Sequence, residues 1–444
     1  MKRSAFIKTV GLATAGIITA PFILPSGRLF AASGKRRANH VVFFLFAGGL
    51  RNQETVDMQY LGNQGMSISG NIMPNMLKGS EPTSNQVFKH WNPALTVPLA
   101  SQGTLFQEVS YKSGPTGHFN GHTVAMTGNY TETGLDLAVN PKFPTVFEYY
   151  RKHNSPVQSA VNAWWLSESL GPYVALNYSS HAQYGAQYGA NYFSPTTTFF
   201  NLGKKYFGNI PDFQPDDVNR INDVKSFLDA NYQHNASDLP GIINTPTDKA
   251  AIEKFIKDTI AKTYGGTLEW PLPTGIATSE LTGDLINVAY TWEVLKTFRP
   301  ELTVINTINS DVCHTDFSNY LTYIYKADYG VGWLWNKIQN DPVLGNDTIL
   351  ICMPEHGRNL ASNSLVDKNG FHAYDHTSDD NSRRVFALVV GPSNVVKQGQ
   401  ILGSIGNSIG ESIDIVPTIA DILGFHDQIP SGLLPGRVLK EAFV

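Results

Sequence analysis

Only two cysteines occur among the 444 residues, so no disulfide framework organises this chain. Charge is scarce too, at 16% of residues with a net value of -4. Without a basic excess there is no electrostatic footprint for nucleic acid, and none is expected as a partner. An unbroken apolar run of membrane-spanning length is also missing. The longest apolar stretch, from Val10 to Leu24, is interrupted by Gly11, Gly16 and Pro21, which argues against a transmembrane anchor. No low-complexity linker divides the rest of the chain.

What is present is globular in character, with 42% hydrophobic residues in a chain long enough for one large core. The start reads as an export signal over residues 1–33. Lys2, Arg3 and Lys8 form a basic head, the broken apolar stretch follows, and Ala31, Ala32 and Ser33 supply small residues for cleavage. Ser4 stands where a twin-arginine signal has its second arginine, so the general secretory and twin-arginine routes both stay open. The remainder, 34–444, is expected to work outside the cytoplasm, in the periplasm or beyond.

Apolar runs alternate with amphipathic stretches. His40–Phe46 is a continuous apolar strand ended by Gly48 and Gly49, and further strands are expected at 103–109, 159–165, 302–308, 348–353 and 385–390. Helices are expected over 145–153, from Thr245 and Pro246 onward, and over 281–298, 317–339 and 415–423. This pattern predicts an α/β fold, a mostly parallel central sheet with helices on both faces. The Tyr-, Gly- and Asn-rich residues 170–215 read as a surface insertion, within a mid-chain insertion spanning about 166–300.

The chemistry-bearing residues follow predicted strands, and open sheets of this kind bind ligands at the carboxyl ends of their strands. Pro354, Glu355, His356, Gly357 and Arg358 come directly after the run that ends at Met353. Asp311, His314 and Asp316 follow another strand, and His372, Asp375 and His376 come later. Glu54 and Asp57 follow the first strand, while Thr116, His118 and His122 follow the second. Mixed carboxylates and imidazoles suit one or two divalent ions, zinc first, with manganese or iron as alternatives. Arg358 or Arg384 would offset charge on a transferred group. For Asp316 a helix N-cap is the better explanation, and Cys352 reads as a core residue.

Together these residues resemble the alkaline phosphatase and sulfatase superfamily, close to its exported sulfatase-like proteins. Glu355-His356-Gly357 is similar to the family's acidic-His-Gly metal motif. The strand from Arg384 to Gly391 and Pro392 resembles the one that follows it, and Asp414, Pro417 and Thr418 resemble a late Asp-x-x-Pro-Thr helix. The resemblance implies an alkaline phosphatase-like fold with Asp311, His314, Glu355, His356 and His376 (or His372) as metal ligands, and with Glu54, or else Asp57, as a further one. When His122 is matched to a family histidine, His118 falls at the nucleophile position and Thr116 is the nearest hydroxyl; these two are the candidate catalytic residues. A glutamate replaces the usual aspartate at 355, and no Cys-x-Pro-x-Arg or Ser-x-Pro-x-Arg signature occurs, which argues against a formylglycine sulfatase.

The expectation is therefore an exported metal-dependent hydrolase of phosphate or sulfate esters, acting on a small-molecule or glycan ester. The alternative is a non-catalytic, metal-stabilised binding protein of the same fold, whose aromatic 173–200 segment would contact glycans. The sequence leaves the oligomeric state open.

Overall fold

The structure, a computed structural model, describes residues 35–444 apart from 67, 85, 132–139, 156–158, 168–171, 196–241 and 378. The export signal expected at 1–33 and the centre of the expected insertion lie outside the described residues.

Among the described residues eight strands form one sheet: β1 His40–Phe46, β2 Gly103–Ser110, β3 Ala163–Ser167, β4 Asn191–Phe193, β5 Leu302–Thr307, β6 Thr348–Pro354, β7 Arg384–Val390 and β8 Gln400–Leu402. Their spatial order is β4-β3-β5-β1-β6-β7-β2-β8. Among them β7 alone runs against the rest, pairing antiparallel with both β6 and β2. The carboxyl ends of β1, β2, β5 and β6 therefore share one edge with the start of β7.

The unbroken apolar runs of β1 and β6 are explained by burial on both faces. Val41, Phe43 and Leu45 of β1 join Ile349, Ile351 and Met353 of β6 in one core. Val42, Phe44 and Phe46 join Leu350 and Cys352 in the other. Helices α1 His118–Thr127, α2 Val146–His153, α3 Pro246–Tyr264 and α6 Ile415–Ile422 contribute to the first core. Helix α5 Phe317–Gln339 covers the opposite face, and α4 Gly283–Phe298 reaches both. This is the mostly parallel, doubly covered architecture that the sequence pattern predicts.

Local signals set the boundaries. The Asp316 side chain accepts from Asn319 N and starts α5, while Thr145 and Glu148 form a reciprocal capping box on α2. Thr245 caps α3, with Pro246 at its first position.

Three expectations shift. Strand β3 starts later than 159 because Ala163 N donates to Ala160 O, closing a turn before the chain extends. Residues 191–193 form an edge strand paired parallel to β3, with Trp165 opposite Tyr192, within the segment read as surface insertion. Helix α4, also inside 166–300, packs in both cores and belongs to the main body. Both cysteines are free and buried. Among the described residues no helix is long and apolar enough to cross a membrane.

Candidate metal centre

Glu355 is the first residue after β6, and its amide donates to Phe46 O at 3.2 Å, so the register with β1 carries past the strand end. Gly48 and Gly49 turn β1 away at positive φ, and Gly48 N donates to Glu355 Oε1 at 2.7 Å. A Cβ on Gly49 would sit 2.4 Å from the His356 ring, so that position admits no side chain. Gly121 serves α1 the same way: a Cβ there would lie 2.7 Å from Glu355 O. The helix thus approaches closely enough to bring both of its histidines to one carboxylate.

His118 and His122, four residues apart, share that face. His118 Nδ1 lies 2.8 Å from Glu355 Oε1, and His122 Nδ1 contacts Glu355 Oε2. His122 Nε2 faces Asn306 Nδ2 at 2.6 Å. His356 Nε2 is 3.2 Å from Glu355 Oε1. On the other side of the His118 ring, Nε2 lies 2.8 Å from Asp311 Oδ1 and 3.0 Å from His376 Nε2. His314 Nε2 is 3.2 Å from Asp311, and its Nδ1 meets Asp375 Oδ1 at 2.5 Å.

Two overlapping groups of metal-capable atoms result: His118, Asp311, His314 and His376, and His118, Glu355 and His356. The donor chemistry fits a divalent ion. His356 Nδ1 donates to Gly357 O and His376 Nδ1 to Thr116 O, each at 2.7 Å, which fixes the tautomer and leaves Nε2 as a lone pair pointing inward. Asp375 orients His314 in the same fashion. Outer-shell bonds of this kind are the usual support of imidazole ligands.

The electrostatics agree. Burial works to raise the Glu355 carboxyl, but His122 and His118 outweigh it and hold the group well below its ordinary value. Asp311 is likewise lowered, burial being overcome by His118, His314 and Arg358. Burial opposes charge on His118, yet Asp311 and Glu355 raise it to about 9. Burial lowers both His356 and His376; at His356 the Glu355 carboxylate works against it without cancelling it, while at His376 neighbouring positive charge adds to it. The cluster grades from fully buried at Glu355 and His356 to 40% side-chain exposure at Asp311, which opens it to solvent on the Asp311–His314 side.

Of the residues singled out in the sequence, His118, Asp311, His314, Glu355, His356 and His376 are brought together. Glu54 is not. It lies in neither group and pairs with Arg51 Nε at 3.7 Å, because the turn at Gly48 and Gly49 sends residues 51–57 away from the cluster. Thr116 is adjacent, but its hydroxyl donates to His376 O at 2.6 Å and contacts Ser382 Oγ at 3.1 Å. It holds His376 in place and does not face the cluster. His372 is exposed and apart, with its amide on Gln64.

Arg358 is fully buried, on the carbonyls of Gly48, Tyr374 and Ser310 and on Asp311. Arg384 is held by Asp57 and Glu108. Neither arginine is left to meet a substrate. His122 and Asp375 have larger parts than the sequence implied, and the i,i+4 spacing to His118 and the adjacency to His376 were their signals.

No protein-family profile matches the chain, and no curated protein matches it. Solved structures do. It is similar to an alkaline phosphatase superfamily protein from Vibrio parahaemolyticus, at 12% identity over 99% of this chain and 79% of that one, with a TM-score of 0.42. It is also similar to a phosphonate monoester hydrolase of Agrobacterium radiobacter, at 11% identity over 90% and 76% with a TM-score of 0.44. A mutant of the alkaline phosphatase PafA matches at 12% identity over 92% and 100%, with a TM-score of 0.45. Likenesses this distant carry no functional weight.

Proposed function

We propose that the protein is a metal-dependent hydrolase of phosphate or sulfate esters, exported from the cytoplasm and using zinc. The observation that carries this is the convergence of fixed imidazole lone pairs from His356 and His376 on two carboxylates, Asp311 and Glu355, held as anions. A bound divalent ion would supply Lewis-acid polarisation of a phosphoryl or sulfuryl oxygen. Arg358 and Arg384 are committed to protein partners, so the charge that opposes an anionic ester belongs to the cluster itself. The exposed Asp311–His314 side is where such an ester enters. With the Thr116 hydroxyl bonded to His376 O, the attacking oxygen is assigned to water.

That same committed hydroxyl favours a second reading, a metal-stabilised binding protein without turnover. The Tyr-rich residues 173–200 that would contact a glycan are described only in part. Metal analysis after stripping and reconstitution with zinc, then assay on a panel of phosphate and sulfate esters, separates the two. Bound zinc with turnover supports the hydrolase, and zinc without turnover supports the binding role. Absence of bound metal, or metal retained in full by His356→Ala, removes both.

A further inference from the structure

The two metal-capable groups have one member in common, His118, and they meet it through different nitrogens. Nε2 faces Asp311 Oδ1 at 2.8 Å and His376 Nε2 at 3.0 Å. Nδ1 faces Glu355 Oε1 at 2.8 Å and His356 Nε2 at 3.0 Å. Each side of the ring therefore meets one carboxylate oxygen and one imidazole lone pair. Because the Nδ1 atoms of His356 and His376 are donors to main-chain carbonyls, neither Nε2 carries a proton to offer the ring.

A neutral imidazole has one N–H and one lone pair, so it satisfies only one of two such acceptor-lined sides. A ring with both sides lined by acceptors is complete when each nitrogen carries a cation, whether a proton or a metal ion. The side chains beyond the ring differ in a way that suits two metals. The Nε2 side adds His314 to give three nitrogens and an oxygen. The Nδ1 side provides two nitrogens and the buried Glu355.

We propose that His118 is a bridging ligand that joins two divalent ions, one held with Asp311, His314 and His376 through Nε2, the other with Glu355 and His356 through Nδ1. On double loading the ring becomes an imidazolate: each N–H bond it carries breaks, the proton passes to solvent, and each nitrogen lone pair is donated to an ion. The residue aligned with a nucleophile in the sequence is thereby a structural element of the metal centre. The proposal rests on the metal-dependent reading above.

Copper(II) is the probe, because two copper ions joined through one imidazole couple magnetically and lose paramagnetic signal. The full chain is stripped, loaded with Cu(II) or Zn(II), desalted and analysed for metal, and the copper form is examined by electron paramagnetic resonance. The expected result is two ions per chain, with integrated spin intensity well below the copper content. In His118→Ala the spin intensity should rise to equal whatever copper remains.

One ion per chain, two ions at full spin intensity, or coupling that persists in His118→Ala would each overturn the bridge. Should the variant not fold, the spin count of the unaltered protein decides alone. Failure to bind any ion removes the metal-dependent reading with it, whereas ester turnover by a protein whose ions are uncoupled removes only the bridge.

Discussion

Glu355 and Glu54 leave neighbouring parallel strands by loops at the same sheet edge, and both are buried to about the same degree, with 0% and 1% exposure. Their surroundings pull them apart. Glu355 receives the Gly48 amide and the Nδ1 atoms of His118 and His122, and is held ionised. Glu54 has the Arg51 guanidinium at 3.7 Å, its Oε2 finds no hydrogen bond among the described residues, and burial pushes it up to about 7. Burial alone is thus a poor marker of a metal ligand. Partners that stabilise the anion, and so stand ready to share it with a cation, distinguish the two.

The contrast breaks first at Glu355. Glu355→Ala removes the carboxylate that faces His118 Nδ1, His122 Nδ1 and Gly48 N, and losing one member of a buried charged network costs about 3–5 kcal/mol. Denaturant unfolding of the metal-free protein should show that loss, and zinc content should fall with it. An unchanged midpoint would mean that the network contributes nothing to the fold.

Glu54 sharpens the contrast through pH. Its folded carboxyl titrates at about 7 against an ordinary value of 4.5, so the folded state holds the extra proton. That stabilisation is complete below 4.5 and is lost as pH rises through 7. Glu54→Gln should therefore remove about 1–3 kcal/mol of the stability lost between pH 5 and 8, with zinc content unchanged. A stability profile identical to that of the parent protein would show Glu54 to be ionised and well paired.

The same contrast explains what the sequence could and could not display. Glu355 and His356 were legible because a fully buried strand has one exit, and residues after it must lie at the sheet edge. Glu54 was equally placed in sequence, but its direction is decided by the turn at Gly48 and Gly49 and by Arg51, which spacing does not encode. Gly121 disfavours a helix by propensity, yet the tertiary contact with Glu355 O is what requires glycine there. Thr116 offered a hydroxyl in the right stretch of chain, and only the fold shows that hydroxyl turned to His376 O. Strand β4 was hidden in a Tyr- and Gly-rich segment because three residues paired to β3 have no periodicity of their own. The helices with caps in sequence, from Thr145, Thr245 and Asp316, stood where expected.

A smaller effect is expected where the partner of a ligand, and not the ligand itself, is altered. Asp375→Asn should weaken zinc binding about 10- to 100-fold by freeing the His314 ring to rotate, measured by competition with a chelator. Its side chain is 45% exposed, so unfolding midpoints of the metal-free protein should barely move. An unaltered affinity would mean that His314 is held by the Asp311 contact alone.

The smallest effect tests whether α5, whose first turn follows directly from Asp311 and His314, holds that side of the centre in register. Asp316→Ala removes the acceptor for Asn319 N and should cost about 1 kcal/mol, the usual value for an N-cap. If the cap serves only the helix, zinc affinity stays constant while stability falls. If it also fixes the 309–314 segment, affinity falls in step with Asp375→Asn, and the two substitutions together weaken binding by less than the product of their separate effects. Glu355 is placed by the register of β6 with β1, so Asp316→Ala should leave the Glu355–His356 side intact. The two halves of the centre then separate experimentally, one positioned by a helix cap and the other by strand register.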